Sequence, residues 1–486
     1  MKRKIVLLFL LIVSVGGISL VNQMINSKHT EQSTYSLGIE PYTIKGSNQF
    51  DTLFDNSKLH QFKIVMSQEE WDGLSSDMLD YEAVNNNMRT GNYRKADLYY
   101  SDENGDVKID EVGVRSKGNT TRKLPETSTG LHRFNFKLKF NETFDMLEDT
   151  ADYYERDHRN FAGLSTLNFK AHDGTDTSNI REVFCYDLLK DFVMVSSKAS
   201  LATLIFVVDG VEHDYGVVRY IEPVDKDFLT KRFGGKKDDG NLYKCLWQSY
   251  GPATLMPITR EESIGIKDWV KNYHPTYDLK TNQEEKNFQD LKDFINNINT
   301  LNDDELKAYL EDNFEVDHFI RYEALNIVLG GLDDYWCMGN NYYMYFNEDG
   351  KIEWIPFDYD NTLAAGWSGE PNWSYEGIAK ADIYKWKNLN AAMFDAHTTH
   401  PLINKILEID EYKKKYEEYL KILTDAENNY FTYSRFLDLY NELFDLYGGS
   451  VENEMHEGDE WKLRNEKWFF ETKIASVKEQ LSKEKQ

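Results

Sequence analysis

The chain has 486 residues, enough for one large domain with insertions or for two domains. Its 83 acidic residues outnumber 56 basic ones, and the net charge of −27 excludes general nucleic-acid binding, which needs a basic footprint. Three cysteines (Cys185, Cys245, Cys337) are too few and too scattered for a zinc site or a disulfide framework, so the core must rest on packing.

The N-terminus carries an export pattern. Lys2, Arg3 and Lys4 precede an uncharged apolar run from Ile5 to Val21, as in a secretory signal or an uncleaved anchor. The run is slightly short of the roughly 20 residues a spanning helix needs, and no Cys follows it for lipidation. Residues 1–25 therefore read as a signal peptide or N-terminal anchor and 26–58 as a polar tether, with the globular chain beginning at 59. FKIVMS predicts a strand, and the helix opening at Ser67 has Glu70 placed to close a capping box. Tyr93 to Tyr100, Asp106 to Val114 and His132 to Phe140 alternate like antiparallel strands. Leu164 to Ala171 predicts another strand, Asp173 to Ser178 a loop, and Asn179 to Phe192 an amphipathic helix. Two further strands, Leu201 to Val208 and Val217 to Tyr220, are joined through Asp209-Gly210, a hairpin dipeptide. After Glu222 comes the short helix VDKDFLTKRFG. Trp247 to Glu284 is aperiodic and reads as an insertion, whereas Asn287 to Val328 has a helical period.

The stretch from Gly330 to Gly366 concentrates the chemistry. Tyr342 to Phe346 and Ile352 to Phe357 are strand-like, and Asn347 to Gly350 supplies a turn. Closing this hairpin would bring Asp333, Asp334, Asn340 and Asn341 up to Asp358 and Asp360, a set of oxygen donors suited to a hard divalent cation. Beyond Pro401 nearly everything is helical. Strands with one helix first and a mostly helical half afterwards make an α+β protein.

As a site, Asp333 could orient or deprotonate a hydroxyl, Asn341 could ligate a metal, and Asp358 could bridge metal to phosphate with Asp360 as a second ligand. Protein kinases order their parts in this way: catalytic Asp, metal Asn, hairpin, metal Asp. A polar turn at Asp358-Tyr359-Asp360-Asn361 and a helix-terminal loop at Asp333-Asp334 is the structural alternative for the same residues.

The pieces GVRSKGNTTR, FNFKLKF, LNFKAHDGTDTSNIREVFCYDLL, VVRYIEPVDKDFLTKRFG, GNLYK, FEVDHFIRYEALNIVLGGLDDYW, NNYYMY and WIPFDYDNT resemble, in order and spacing, the spore coat protein H (CotH) family of atypical kinases. The resemblance spans roughly Gly113 to Gly366. It implies a two-lobed, protein-kinase-like fold with a β-rich N-lobe at about 59–222, an α-rich C-lobe core at about 223–400, and 401–486 as its helical extension. It also implies an ATP- and Mg²⁺-dependent phosphotransferase that modifies Ser or Thr of proteins at a spore coat or cell surface. Asp333 matches the catalytic Asp, Asn341 the metal Asn and Asp358 the metal Asp. The Asp333–Asn341 spacing is long for the family and keeps Asp334 and Asn340 in competition. No Gly follows Asp358-Tyr359, so the activation switch of ordinary kinases is not expected. Val114 to Arg122 could cover phosphates with Gly118, and Lys137 or Lys170 could reach them. Arg181 and Glu182 stand where a kinase places the partner of its Lys, and Glu222 could line an adenine pocket or cap a helix. Two rival functions remain: a non-catalytic coat or surface assembly protein that keeps the fold, and a secreted module whose acidic clusters hold Ca²⁺ or a glycan. Partners would be surface proteins, with no nucleic acid, and a membrane tether through the N-terminal run.

Overall fold

A computed structural model describes residues 36–119, 122–171, 180–234, 237–363, 375–390, 399–448 and 464–483. The signal or anchor segment, the first part of the tether and the Asp173 to Ser178 loop lie outside the described residues. The chain folds as a mixed α+β protein, in which a closed barrel of seven strands precedes a mostly helical half. Among the described residues no helix is long and apolar enough to cross a membrane.

Helix α1 (Asn48–Leu53) leads into β1 (Gln61–Met66) and α2 (Gln68–Asn85). Ser67 caps α2 by accepting from the Glu70 N–H, but Glu70 directs its own carboxylate to the Lys95 N–H, 3.2 Å away. The expected capping box is thus half realised, because a neighbouring strand competes for the glutamate. Strands β2 (Arg94–Asp102), β3 (Gly105–Ser116), the small β4 (Glu126–Thr127) and β5 (Gly130–Leu131), and β6 (Phe136–Lys139) precede α3 (Ala151–Asp157). Then follow β7 (Thr166–Lys170), α4 (Arg181–Asp191), β8 (Ala199–Val208) and β9 (Val211–Ile221). The barrel runs β1-β2-β3-β6-β7-β9-β8, and the parallel pairing of β1 with β8 closes it. Alternation explains it: Phe62, Ile64, Leu98, Val114, Phe136, Leu138, Leu167, Phe169, Leu204, Phe206 and Tyr220 fill one buried cluster. The Phe136 and Phe169 rings stack with centroids 4.7 Å apart.

The same alternation sends the other residues of β7 and β9 outward. Lys170 and Arg219 are cross-strand partners on the outer face, where α4 covers them. Helix α5 (Lys226–Phe233) is capped by Asp225, not by Glu222. A second sheet, ordered β11-β12-β10-β13-β14, contains β10 (Asn241–Cys245), β11 (Ile264–Gly265), β12 (Tyr277–Leu279), β13 (Tyr342–Phe346) and β14 (Ile352–Pro356). The stretch read as an insertion therefore supplies two short strands to this sheet. Strands of two or three residues carry no period that a sequence could reveal. The predicted hairpin forms as expected, with Tyr342 opposite Pro356. Its two strands are buried throughout because both faces are covered: Tyr342, Met344 and Trp354 by the helical core, Tyr343, Tyr345 and Ile355 by a smaller cluster with Val224 and Phe228.

Helices α6 (Gln289–Thr300), α7 (Asp303–Asn313) and α8 (Val316–Leu329) occupy the predicted helical stretch. All of α8 but Asp317 is buried, as befits the central helix of the larger core. The remaining helices are α9 (Tyr335–Met338), α10 (Tyr375–Lys380), α11 (Pro401–Glu408), α12 (Asp410–Thr424), α13 (Tyr433–Tyr447) and α14 (Arg464–Lys483).

Candidate active site

Lys170 ends β7 and Glu182 sits in the first turn of α4, so burying the outer barrel wall under α4 drives amine and carboxylate together. The Lys170 Nζ lies 2.7 Å from Glu182 Oε1 and 3.2 Å from Asp360 Oδ2, and it also bonds Asp358. Glu182 accepts from the Tyr359 N–H at 3.2 Å, and Arg219 Nε lies 3.7 Å from its other oxygen. Three carboxylates thus surround two cations. Burial works against the Lys170 ammonium, but Asp358, Asp360 and Glu182 overcome it and hold the amine protonated well above its ordinary range. Burial pushes Asp358 up, and Lys170, joined by Lys117 and Lys244, more than offsets it, leaving that carboxyl below its ordinary range. Asp360 takes up the excess charge: burial and the nearby Asp358 push it toward the neutral form.

The second cluster is built by chain reversal. Helix α8 ends at Gly330, whose φ of 66° and packing require glycine, since a Cβ there would come within 2.5 Å of the Phe469 ring. Asp334 then caps the four-residue α9, accepting from the Cys337 N–H at 2.8 Å and from Asn326 Nδ2 at 3.1 Å. This turn absorbs the long spacing. Asn340 Nδ2 reaches Asp333 Oδ1 at 2.7 Å, and Asn341 Nδ2 reaches Asp333 Oδ2 at 2.9 Å. Asn340 also accepts from the Trp247 N–H. Asp334 is buried with both oxygens engaged, whereas Asp333 is half-buried. Burial pushes the Asp333 carboxyl up to about 6, with the Asn340 and Asn341 amides opposing and the Asp358 charge adding.

The two clusters meet. Asp333, Asn341 and Asp358 line one cavity, together with Tyr322, Asn326, Gly331, Asp334, Phe357, Tyr359, Asn361 and Thr362. Asn341 and Asp358 flank the open end of the hairpin and both hold left-handed backbones, φ 56° and 67°. Each such non-glycine conformation costs on the order of 1 kcal/mol and tends to persist at functional sites. Carboxylate and carboxamide oxygens around one cavity fit a hard cation such as Mg²⁺, which often takes one or two carboxylates and leaves its other positions to water and phosphate. Among the described residues no three His, Cys, Asp or Glu side chains form a ready metal cage.

The other predicted residues lie elsewhere. Asp360 does not line the cavity and instead faces Lys170. Lys137 is on the outer barrel face opposite Asn168, and burial lowers its amine against the favourable charges of Tyr93 and Asp225. Arg181 reaches the Asp360 carbonyl and Glu466, each at 3.4 Å. The Glu222 carboxylate is clasped by Arg232 at 3.0 and 2.6 Å and accepts from the Lys198 N–H. Gly118 has φ 116° and accepts from Arg122 through its carbonyl, while residues 120 and 121 of that loop lie outside the described residues. Arg219, Asn326, Lys117 and Lys244 were missed. Burial lowers the Lys117 amine to about 7, Lys170 adding to it while Asp358 opposes. Burial lowers Lys244 to about 8 against the favourable charge of Asp358, and its Nζ stands 4.6 Å from the Phe357 ring centre. Lys117 and Lys244 lie inside GVRSKGNTTR and GNLYK, but a lone lysine in a strand or turn carries no further signal.

The family model described as CotH kinase protein matches residues 114–482. The chain belongs to the CotH kinase family. No curated protein matches this CotH family member. Among solved structures, the crystal structure of a Helicobacter pylori proinflammatory kinase, CtkA, aligns at 11% identity over 66% of this chain and 92% of that one, with a TM-score of 0.27. The CotH match contains Lys170, Glu182, Asp333, Asn341 and Asp358, and it continues through the helices beyond 401 that the sequence reading set apart as an extension.

Proposed function

We propose that the protein is an ATP- and Mg²⁺-dependent phosphotransferase that modifies Ser or Thr hydroxyls of spore-coat or cell-surface proteins. The observation that carries this reading is the buried Lys170–Glu182 pair between β7 and α4, the ion pair that kinases need in place for phosphoryl transfer, with Asp358 beside it. In this reading the barrel with α4 serves as an N-lobe and the second sheet with its helices as a C-lobe. The apolar run 5–21 carries the chain out of the cytoplasm or anchors it at a membrane.

Lys170 would present its charge to the phosphates of ATP, with Glu182 and Arg219 holding its position. Asp333, half-buried with a carboxyl near 6, is ionised for the most part at neutral pH and orients the acceptor hydroxyl. The hydroxyl oxygen bonds to the γ-phosphorus as the bond from that phosphorus to the β–γ bridging oxygen breaks. The hydroxyl proton passes to Asp333, and ADP leaves. Asn341 and Asp358 would hold Mg²⁺, which when bound neutralises charge on the phosphoryl oxygens. Asp360 is assigned to Lys170 instead of the metal. Catalysis by these parts is positioning and electrostatics.

Transfer of radiolabelled phosphate from ATP to the chain itself or to a surface-protein acceptor tests the reading. Wild type should label and Asp333→Asn should not. Equal labelling by the two would remove Asp333 from the chemistry, and no labelling by either would favour the assembly-protein reading. Tight Ca²⁺ binding by calorimetry without nucleotide binding would favour the metal- or glycan-binding module.

A further inference from the structure

The C-terminal helices pack on the back of the helix that carries Glu182. Arg435, in the first turn of α13, is buried and donates to Asp187 and Asp191 of α4, at 2.7 Å each. Glu466 of α14 meets Arg181 at the start of α4, 3.4 Å away. Between these ionic contacts, Phe184 of α4 sits edge-on to Phe436 and Phe470, with centroids at 5.3 and 5.7 Å. The far end of α13 is tied to the barrel: the Tyr447 hydroxyl bonds the Leu201 carbonyl at 2.6 Å and accepts from the His60 N–H. Helix α4 is therefore clamped at its N-terminus, its middle and its C-terminal turn by elements more than 240 residues away in sequence.

Resting on the phosphotransfer reading above, we propose that α13 and α14 are an intramolecular brace that keeps Glu182 on Lys170, so that the site is assembled in the resting chain without a partner or an activation-loop modification. A helix free to swing would carry Glu182 away from Lys170. Here the swing would have to separate two carboxylates from Arg435, expose Phe184 and break the Arg181–Glu466 pair together. Packed interfaces of this kind move between discrete arrangements and do not deform gradually. Arg435 is thus a positioning residue that acts through Asp187, Asp191 and the helix they belong to.

The test uses the full chain with Arg435→Ala, Arg435→Lys and the double variant Asp187→Asn/Asp191→Asn, which removes the charges and keeps the volumes should the alanine variant fail to fold. Amide hydrogen exchange over 181–191 and steady-state phosphate transfer from ATP are measured side by side. Arg435→Ala, or the double variant, should speed exchange in α4, raise KM for ATP and lower kcat/KM by about tenfold, in the range for coupling through packed elements. Arg435→Lys should recover part of both effects. Faster exchange with unchanged kcat/KM, or unchanged exchange, would overturn the brace while leaving the kinase reading standing. If neither wild type nor Asp333→Asn transfers phosphate, the kinase reading falls first and the brace with it.

Discussion

Replacing Lys170 by Met tests the charge balance at the centre of the site. The amine is 5% exposed at its side chain and is shared by Glu182, Asp358 and Asp360, whose side chains are 0, 25 and 20% exposed. Removing one partner of a buried ionic cluster costs about 3–5 kcal/mol, because the charges left behind are uncompensated. Proton uptake sets a ceiling on that loss. Neutralising one carboxyl of ordinary pKa near 4 at pH 7.5 costs roughly 5 kcal/mol, and at pH 5.5 only about 2 kcal/mol, at about 1.4 kcal/mol per unit. The sign follows from the wild type, in which Lys170 holds Asp358 below its ordinary range. That stabilisation is present above the unfolded carboxyl pKa and is lost as pH falls. In Lys170→Met the carboxyls rise instead, so the variant gains on the wild type as pH falls from 7.5 to 5.5. Urea unfolding at both pH values should give a difference of about 3–5 kcal/mol at pH 7.5, shrinking to about 2 kcal/mol at pH 5.5. As a control, Asp360→Asn should stay within about 1 kcal/mol of wild type, since burial and Asp358 push that carboxyl up to about 7 and neutralising it at pH 7.5 therefore costs under about 1 kcal/mol. A Lys170→Met loss under about 1 kcal/mol at pH 7.5, or one that does not shrink with acid, would refute the argument.

Two further outcomes follow from the surrounding structure. Asp334→Ala should lower stability by about 1–2 kcal/mol, since it removes the cap of α9 and strands the Asn326 amide; urea unfolding within a few tenths of wild type would show that Asp334 is not the structural member of the pair. Burial, with Arg321 adding, pushes the His318 imidazole down to about 3, and its Nε2 accepts from the Val195 N–H at 3.0 Å. A folded pKa below the unfolded value near 6.5 makes this contribution full above that pH and lost as pH falls, by about 1.4 kcal/mol per unit. His400 and His274, also pushed down by burial, keep a slope in both proteins, so between pH 6.5 and 4.5 the wild type should lose about 1.4 kcal/mol per unit more than His318→Gln, and parallel pH profiles would sink the assignment.

Local chemistry was legible in the sequence wherever a short pattern sufficed. Aromatic runs on either side of Asn347 to Gly350 determined the hairpin, the helical period determined Asn287 to Val328 and the helices after Pro401, and the order of Asp333, Asn341 and Asp358 pointed to one site. Tertiary structure alone decided the pairings. Lys137 and Lys170 have the same strand context and the same outward direction, and only barrel closure under α4 selects Lys170 for Glu182. Asp333 and Asp334 are adjacent, chemically identical and both at the cavity, and the α9 turn alone buries Asp334 in a cap while leaving Asp333 half-buried beside the Asn340 and Asn341 amides. Glu222 takes Arg232 as its partner through a fold of the chain that no helical or strand spacing encodes. A sequence repeats with the period of its own backbone and so determines which residues share a face. Which charge neutralises which depends on distances between faces, and those exist only once the barrel has closed and the helices have packed against it.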